Sequence, residues 1–462
     1  MSPTTVDTDR YAAFIGKAGF GAWRERVASA KGCAHPIHLA GRTVLHDKTA
    51  DGRPVLRTLT AGTLMVPCGT RRAAICPACA DRYAADAFHL IRAGLAGGEK
   101  DVPLTVRDTP RLFVTVTAPS FGKVHSGGLT ARGNRKPCGC GAWHHPDDPI
   151  LSTPIDPDTY DYVGAVLWHA MAGALWHKFT ERVARIMAAR QGIKVSEFRE
   201  HARVSYAKVA EYQARGMVHF HVVIRVDGPT GPDSPRPAWV TASLLEDCVR
   251  LAAAEAGVSI DRPSGAEMTV QFGPQVDVRP ITARLAGQFE DADGTVSEAA
   301  IAGYIAKYAT KSTGTTAGGD RRFRSQLDID NLTGISEHHR RMIQMAWNLG
   351  GLPQYADLKL RRWAHMLGFR GHFLTKSRKY STTFKRIRGD QADYQRAQTL
   401  ARLGVDDPDT VLVVNDWRFT AVGHVSPVAA ELAAAFWERT KAERAMRRAD
   451  QYETEHDEHE GM

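Results

Sequence analysis

Alternation of apolar and polar residues is sharpest from Arg111 to Pro119, RLFVTVTAP, a run of β-branched and aromatic residues that predicts a strand set centrally in a sheet. Val204–Tyr212, VSYAKVAEY, and Met217–Val226, MVHFHVVIRV, read as two further strands. Gln213, Ala214, Arg215 and Gly216 join them, a connection of hairpin length that contains glycine. Helical spacing takes over elsewhere: one amphipathic helix over Tyr11–Ala30, a helical run DRYAADAFHLIRAGL after Cys79, and a long helix over Tyr160–Ala189. Ser297–Lys311, SEAAIAGYIAKYATK, predicts a helix with Glu298 in its first turn and Lys311 near its end, each complementing the dipole. Towards the C-terminus, Asp390–Leu403 reads as a helix, VLVVNDWRF as a strand, and Ser426–Gln451 as a long, charged, alanine-rich helix.

The 462 residues suffice for two or three domains, and a formal net charge of +9 points to a polyanionic partner. Basic residues crowd Arg321–Arg388, whereas the last dozen residues are acidic and are expected to be disordered. No run of eighteen apolar residues occurs, and the N-terminus MSPTTVDTDR has no basic region followed by an apolar one. A soluble, cytoplasmic protein without a membrane partner is expected. Seven cysteines, odd in number and clustered, suit metal binding in a reducing compartment better than a disulfide framework.

Two segments carry candidate zinc ligands. Cys33, Cys68, Cys76 and Cys79 supply one C-x2-C and two outlying thiols, the ligand count of a structural Zn²⁺ site with Zn–S bonds of about 2.3 Å. The alternative is free buried cysteine, with His35 or His38 as substitute ligands. Further on, KPCGCGAWHHP brings Cys138, Cys140 and His144 or His145 close in sequence. This is a weaker signal for a second zinc site, with no fourth ligand evident, set against a merely glycine-rich loop.

A catalytic constellation is suggested by His219-Phe220-His221. In a strand these two imidazoles share a face while Phe220 points the other way, into the core. Hairpin pairing brings Glu211 beside His219, and two imidazoles with one carboxylate make an open shell suited to a catalytic Mg²⁺ or Mn²⁺, or to Zn²⁺ or Co²⁺. Glu211 as a plain exposed carboxylate is the alternative. Tyr304 and Tyr308 lie four apart on one helix face, so their phenols could reach one point in succession. A tyrosine attacking a phosphodiester keeps the bond energy in a covalent intermediate, and Lys307 and Lys311 can neutralise charge on the phosphate. Two aromatic residues buried in a core are the plainer reading of the same spacing.

Taken together, these residues resemble the HUH endonuclease superfamily, in which two histidines flank a hydrophobic residue. His219-Phe220-His221 matches its metal motif, RLFVTVTAP its preceding strand, and Tyr304-Ile305-Ala306-Lys307-Tyr308 its two-tyrosine motif. Over roughly residues 30 to 385 the chain resembles the rolling-circle replication initiators of actinobacterial plasmids and integrative elements. The resemblance implies an α+β fold, with a central antiparallel sheet carrying the histidines and flanked by helices. A cysteine-rich zinc module (1–100) would precede the nuclease core (101–320, with an insertion at 120–200), and a basic, helical C-terminal region (321–462) would follow. It implies nicking of one origin strand to a 5′-phosphotyrosine and a free 3′-hydroxyl, with His219, His221 and Glu211 as metal ligands. Tyr304 and Tyr308 become the nucleophiles and Lys307 the helper between them. Some plasmid initiators of this superfamily carry glutamate at the first tyrosine position; Tyr304 here favours tyrosine-to-tyrosine strand transfer. No GxxxxGK[ST] is present, so unwinding falls to a host helicase and the host replication machinery.

Arg340–Phe384 mixes aromatic and basic residues, a composition suited to single-stranded, hairpin or distorted origin DNA. Lys311, Arg370, Lys376, Arg378, Lys379 and Lys385 are the candidate contacts, and a basic surface over an aromatic core is the alternative. Competing functions are a relaxase or transposase using the same chemistry, a non-catalytic zinc-containing DNA-binding regulator, and a zinc hydrolase in which the tyrosines are structural.

Overall fold

The computed structural model describes residues 8–48, 54–127, 136–281, 302–303, 305–307, 321–405 and 410–460. The chain forms two compact units, one of residues 1–85 with 388–462 and the other of residues 86–387. The sequence reading has three consecutive segments instead: the terminal strand and helix expected to follow a basic region in one C-terminal segment belong to the N-terminal unit.

In that first unit, Tyr11–Ala30 is not one helix. Two helices, α1 (Thr8–Ile15) and α2 (Phe20–Ser29), are separated at the glycine-bounded stretch Gly16–Gly19. Strands β1 (Ile37–Lys48) and β2 (Pro54–Val66) form a long antiparallel pair, and α3 (Pro77–Ala96) begins just after Cys76. The C-terminal strand β10 (Val411–Val422) adds to the other edge of β1, pairing Ile37 with Val422. A final helix runs over Pro427–Glu460, so the acidic tail expected to be disordered is helical as far as Glu460.

The second unit is built on a five-stranded antiparallel sheet. Its strands are β3 (Arg111–Thr117), β4 (Arg203–Tyr212), β5 (Val218–Asp227), β8 (Val276–Pro280) and β9 (Leu374–Lys376), in the order β8-β3-β5-β4-β9. A separate hairpin pairs β6 (Gly257–Asp261) with β7 (Glu267–Gln271). An α+β architecture with antiparallel sheets and helices results. The histidine strand β5 is central, hydrogen-bonded to β3 on one side and β4 on the other.

One face of this sheet is the core. Leu112, Val114 and Val116 of β3, with Phe220, Val222 and Ile224 of β5, are sealed by helix α4 (Tyr162–Arg190) through Trp168, Leu175, Trp176 and Phe179. Helix α5 (Ala242–Glu255) adds Leu245 and Val249. The alternation of β5 therefore does what its sequence requires: Phe220 is fully buried, ring-stacked at 6.4 Å on Trp168, and its flanking histidines emerge on the opposite face. Helix α4 starts where Asp161 accepts from the Gly164 N–H at 2.9 Å, and Arg262 clamps the same carboxylate with two bonds of 2.9 and 2.6 Å.

Candidate functional site

The hairpin register fixes the site. Glu211 of β4 stands opposite His219 of β5, and Thr115 of β3 stands opposite His221. These side chains share the face away from α4 because their positions have the same parity. Glu211 Oε2 lies 2.8 Å from His219 Nε2 and 3.1 Å from His221 Nε2. All three side chains are largely enclosed, at 13%, 16% and 5% exposure for Glu211, His219 and His221.

Two neighbours of His221 escaped the sequence reading. Thr115 Oγ1 lies 3.1 Å from Nδ1, and the Phe113 ring stacks nearly parallel to the imidazole at 5.9 Å and 8°. The His221 tautomer that donates its Nδ1–H to Thr115 turns the Nε2 lone pair towards Glu211, which is the arrangement that metal ligation needs. Glu211, His219 and His221 thus form a group that could hold a metal ion. The spacing fits: neighbouring positions of an octahedron with ligand distances of 2.0–2.1 Å lie about 3 Å apart. Period-two alternation in RLFVTVT already placed Thr115 on the histidine face, so the signal was present in the sequence.

The turn beyond the histidines is braced. Gly216 has a φ of +75°, which a side chain would strain. The Arg215 guanidinium donates to the carbonyls of Ala118 and Pro119 at 2.9 and 3.1 Å, and the Arg215 carbonyl lies 3.0 Å from His338 Nε2. From the core side, the Val218 N–H donates to His169 Nε2 at 3.1 Å, while His169 Nδ1 bonds the Leu367 carbonyl at 2.8 Å. Complete burial brings the His169 pKa down to about 4. Also on the core side, the Lys208 amine sits 3.8 Å from the Phe220 ring centre, and desolvation brings its pKa down to about 7.

Tyr304, Tyr308 and Lys311 lie outside the described residues. Between them, Ile305–Lys307 are helical, with Ile305 and Ala306 buried and Lys307 exposed.

In the first unit, Cys33, Cys68, Cys76 and Cys79 come together with their sulfurs within 4.8 Å of one another. Adjacent Sγ–Sγ distances are 3.6, 3.6 and 3.7 Å. A tetrahedron with Zn–S bonds of about 2.3 Å has edges of about 3.8 Å, whereas a disulfide would need about 2.05 Å. Backbone N–H groups of Ala34 and Cys68 donate to Cys76 and Cys33 sulfur at 3.3 and 3.2 Å. Bonding to the Cys33 sulfur holds the Cys76 thiol far below the ordinary value, and the Cys33 thiol is pushed far above it by Cys76. His35 and His38 are not in the cluster; His38 Nε2 bonds the Gly423 carbonyl at 2.7 Å. Cys138, Cys140 and His144 also converge, joined by His125, which sequence reading did not single out; His145 does not take part.

The aromatic residues of the basic segment are mostly core. Phe369, Phe373 and Tyr380 are buried, which matches the reading of a basic surface over an aromatic core. Lys376 donates inward to the carbonyls of Ser381, Ser377 and Arg378 at 3.0, 3.4 and 3.4 Å, and burial lowers its pKa. It is therefore engaged by its own loop rather than presented to a ligand. Arg370, Arg378, Lys379 and Lys385 are exposed. Arg378 and Lys379 line a groove of about 480 Å³ with Arg185, Arg199 and Arg203, in which Glu181 is the sole carboxylate among the described residues.

Among the described residues no helix is long and apolar enough to cross a membrane. Comparison with known proteins adds identity to this geometry. The family model described as "Replication initiator protein, pSAM2" matches residues 19–438. A replication initiator protein of Streptomyces ambofaciens is 46% identical over 445 residues, covering 94% of this chain and 93% of that protein. No solved structure matches. The match runs through both units, from the cysteine cluster past the histidine hairpin to the C-terminal helix, and the chain belongs to the replication initiator protein family.

Proposed function

We propose that this initiator nicks and rejoins one strand of its replication origin through a phosphotyrosine intermediate and so starts rolling-circle replication. The observation that carries the reading is the convergence of His219 Nε2, His221 Nε2 and Glu211 Oε2 on one face of the central strand, with Thr115 orienting His221. These three residues would hold Mg²⁺ or Mn²⁺, which supplies Lewis-acid polarisation of a phosphate oxygen when bound. The phenol oxygen of Tyr304 or Tyr308 attacks the scissile phosphorus, the P–O3′ bond breaks, and the 3′-oxygen leaves as the hydroxyl that primes synthesis. The second tyrosine then serves strand transfer at termination, and Lys307 offsets charge on the phosphate.

Origin DNA, single-stranded or hairpin, is the partner, held by exposed cations including Arg370, Arg378, Lys379 and Lys385, with Lys311 assigned to the same task. A host helicase supplies unwinding. Cys33, Cys68, Cys76 and Cys79 hold a structural Zn²⁺ that fixes the N-terminal unit around Val27, Met65 and Trp437.

The test is incubation of the protein with its origin strand and Mn²⁺, followed by denaturing electrophoresis and mass spectrometry of the digested adduct. The expected result is a covalent adduct on one of the two tyrosines. An adduct that survives Tyr304→Phe combined with Tyr308→Phe refutes the assignment of the nucleophile. His219→Ala should lose nicking and keep origin binding.

A further inference from the structure

We propose that the insertion between β3 and α4 is a second, separate zinc module, its Zn²⁺ held by His125, Cys138, Cys140 and His144. This is independent of the nicking reading and of the four-cysteine site.

The first argument is the stereochemistry of the donors. His125 Nδ1 and His144 Nε2 are 3.2 Å apart, Cys138 Sγ is 3.7 Å from His125 Nδ1, and Cys140 Sγ is 3.4 Å from His144 Nε2. A tetrahedral Zn²⁺ with Zn–N of 2.0–2.1 Å and Zn–S of about 2.3 Å sets N–N edges of about 3.3 Å and N–S edges of about 3.6 Å. All four donor atoms lie within 4.8 Å of one another. Two thiol sulfurs and two imidazoles in tetrahedral array select Zn²⁺ over Mg²⁺ or Mn²⁺, which prefer oxygen.

The second argument is the support behind the donors. His144 Nδ1 bonds Asp148 Oδ2 at 2.9 Å, which leaves the Nε2 lone pair aimed into the cluster. Asp148 is itself held by the Ile150 N–H on Oδ1 at 3.0 Å. The Ser126 N–H donates to Cys138 Sγ at 3.4 Å. Around the C-x-C, Cys138 N–H bonds the Ala142 carbonyl and Gly141 N–H the Cys138 carbonyl, both at 2.9 Å, in a turn where Gly141 takes a φ of +88°. His145, one residue on, is 64% exposed and pairs with Asp147 instead.

The third argument is what the segment lacks. Among the described residues from Gly122 to Thr159, most are exposed or half-buried, and regular structure is limited to one isolated bridge, Val124 with Pro154. A stretch without an apolar core needs another source of folding free energy, and a bound metal supplies it. The bridge is also what returns the chain so that His125 faces the knuckle: His125 N–H bonds the Thr153 carbonyl and Ser152 N–H the His125 carbonyl, each at 2.8 Å.

The experiment is zinc quantification by elemental mass spectrometry on the full-length chain and on two variants, Cys138→Ser/Cys140→Ser and Cys76→Ser/Cys79→Ser. Each double variant should lose one equivalent relative to the parent, His125→Ala should behave as the first variant does, and His145→Ala should lose none. Limited proteolysis of Cys138→Ser/Cys140→Ser should open new cleavage between residues 122 and 159. Should that variant prove insoluble, Co²⁺ substitution of the unmutated chain reads the same question. Tetrahedral bands of a two-sulfur, two-nitrogen site must appear beside those of a four-thiolate site. Unchanged zinc content in Cys138→Ser/Cys140→Ser, or a Co²⁺ spectrum of four-thiolate type alone, overturns the proposal; loss confined to Cys76→Ser/Cys79→Ser would do so while leaving the N-terminal zinc reading intact.

Discussion

Replacing Thr115 with valine isolates the contribution of one hydroxyl to the candidate catalytic metal site. Valine keeps the shape and the β-branch of β3, so the strand and its pairing with His221 should persist. What disappears is the acceptor 3.1 Å from His221 Nδ1. The imidazole is 5% exposed, so water cannot readily take the place of that acceptor. An unsatisfied buried N–H costs about 1–3 kcal/mol, and the ring escapes this cost by shifting its proton to Nε2, which removes it as a ligand. Loss of such an outer partner typically weakens metal binding about 10–100-fold, or about 1.4–2.7 kcal/mol. Phe113 still stacks on the ring and fixes its plane, so the effect should lie nearer tenfold.

The assay is Mn²⁺ titration of full-length protein that carries zinc only in its cysteine sites, with excess zinc removed, followed by the electron paramagnetic resonance signal of free Mn²⁺. Thr115→Val should shift the dissociation constant upward by about that factor, Thr115→Ser should restore it, and the Mn²⁺ midpoint of nicking should move in parallel. An unchanged Mn²⁺ affinity in Thr115→Val would show that the hydroxyl does not set the tautomer and would refute the orienting role. A nicking midpoint that stays put while affinity falls would refute the link between this ion and the chemistry.

Four other outcomes follow from buried or clustered charges. Arg225 is fully buried and donates to both oxygens of Asp227 at 2.6 and 3.1 Å; Arg225→Met strands that carboxylate and should cost about 3–5 kcal/mol in urea unfolding. His169 has its folded pKa lowered to about 4 from 6.5, so the unfolded chain binds the proton first as pH drops. Stability should therefore fall from about pH 6.5 to about pH 4, by about 3 kcal/mol in all, and His169→Gln should flatten that window in a pH series of urea midpoints. Lys208 has the matching case at alkaline pH: its pKa is lowered from 10.5 to about 7, so stability rises with pH across that interval. Lys208→Met should then stabilise the protein at pH 8 by up to about 3 kcal/mol. In the groove lined by Arg185, Arg199 and Arg378, each Arg→Gln change should lower the slope of log K against log salt by about 0.9 on the duplex stem of an origin hairpin, or about 0.7 on a single strand, if the residue meets a phosphate.

How much of this was legible in the chain depended on how far apart in sequence the decisive partners lie. The second unit's centre was readable because β3 and β5 bury one face against α4, which enforces apolar alternation, and because a four-residue turn leaves β4 and β5 one plausible register. Glu211 opposite His219 follows from that register alone. The sheet of the first unit was missed for the opposite reasons. VLVVNDWRF was read as a strand, but most of β10 is exposed, so nothing in it points to a partner, and that partner, β1, lies more than 350 residues away, as Ile37 with Val422. The basic segment left two readings open because Phe369, Phe373 and Tyr380 have the same composition whether they stack on bases or fill a core, and packing places these three in the core.

The candidate metal ligands divide along the same line. Within a strand pair, backbone geometry chooses the ligands, and counting by twos is enough to name His219, His221 and Glu211. In a knuckle, chain reversal chooses them. Cys138 and Cys140 announced a site, but His144 and His145 are equivalent by spacing. His125 enters only because Val124 meets Pro154 across the insertion. What separates His144 from His145 is a single contact, Asp148 on Nδ1 at 2.9 Å, and the i,i+4 spacing from His144 to Asp148 was on view in the sequence. An acidic residue one turn beyond a candidate histidine ligand is therefore the local sign that favours His144 here, because it fixes the tautomer that ligation needs.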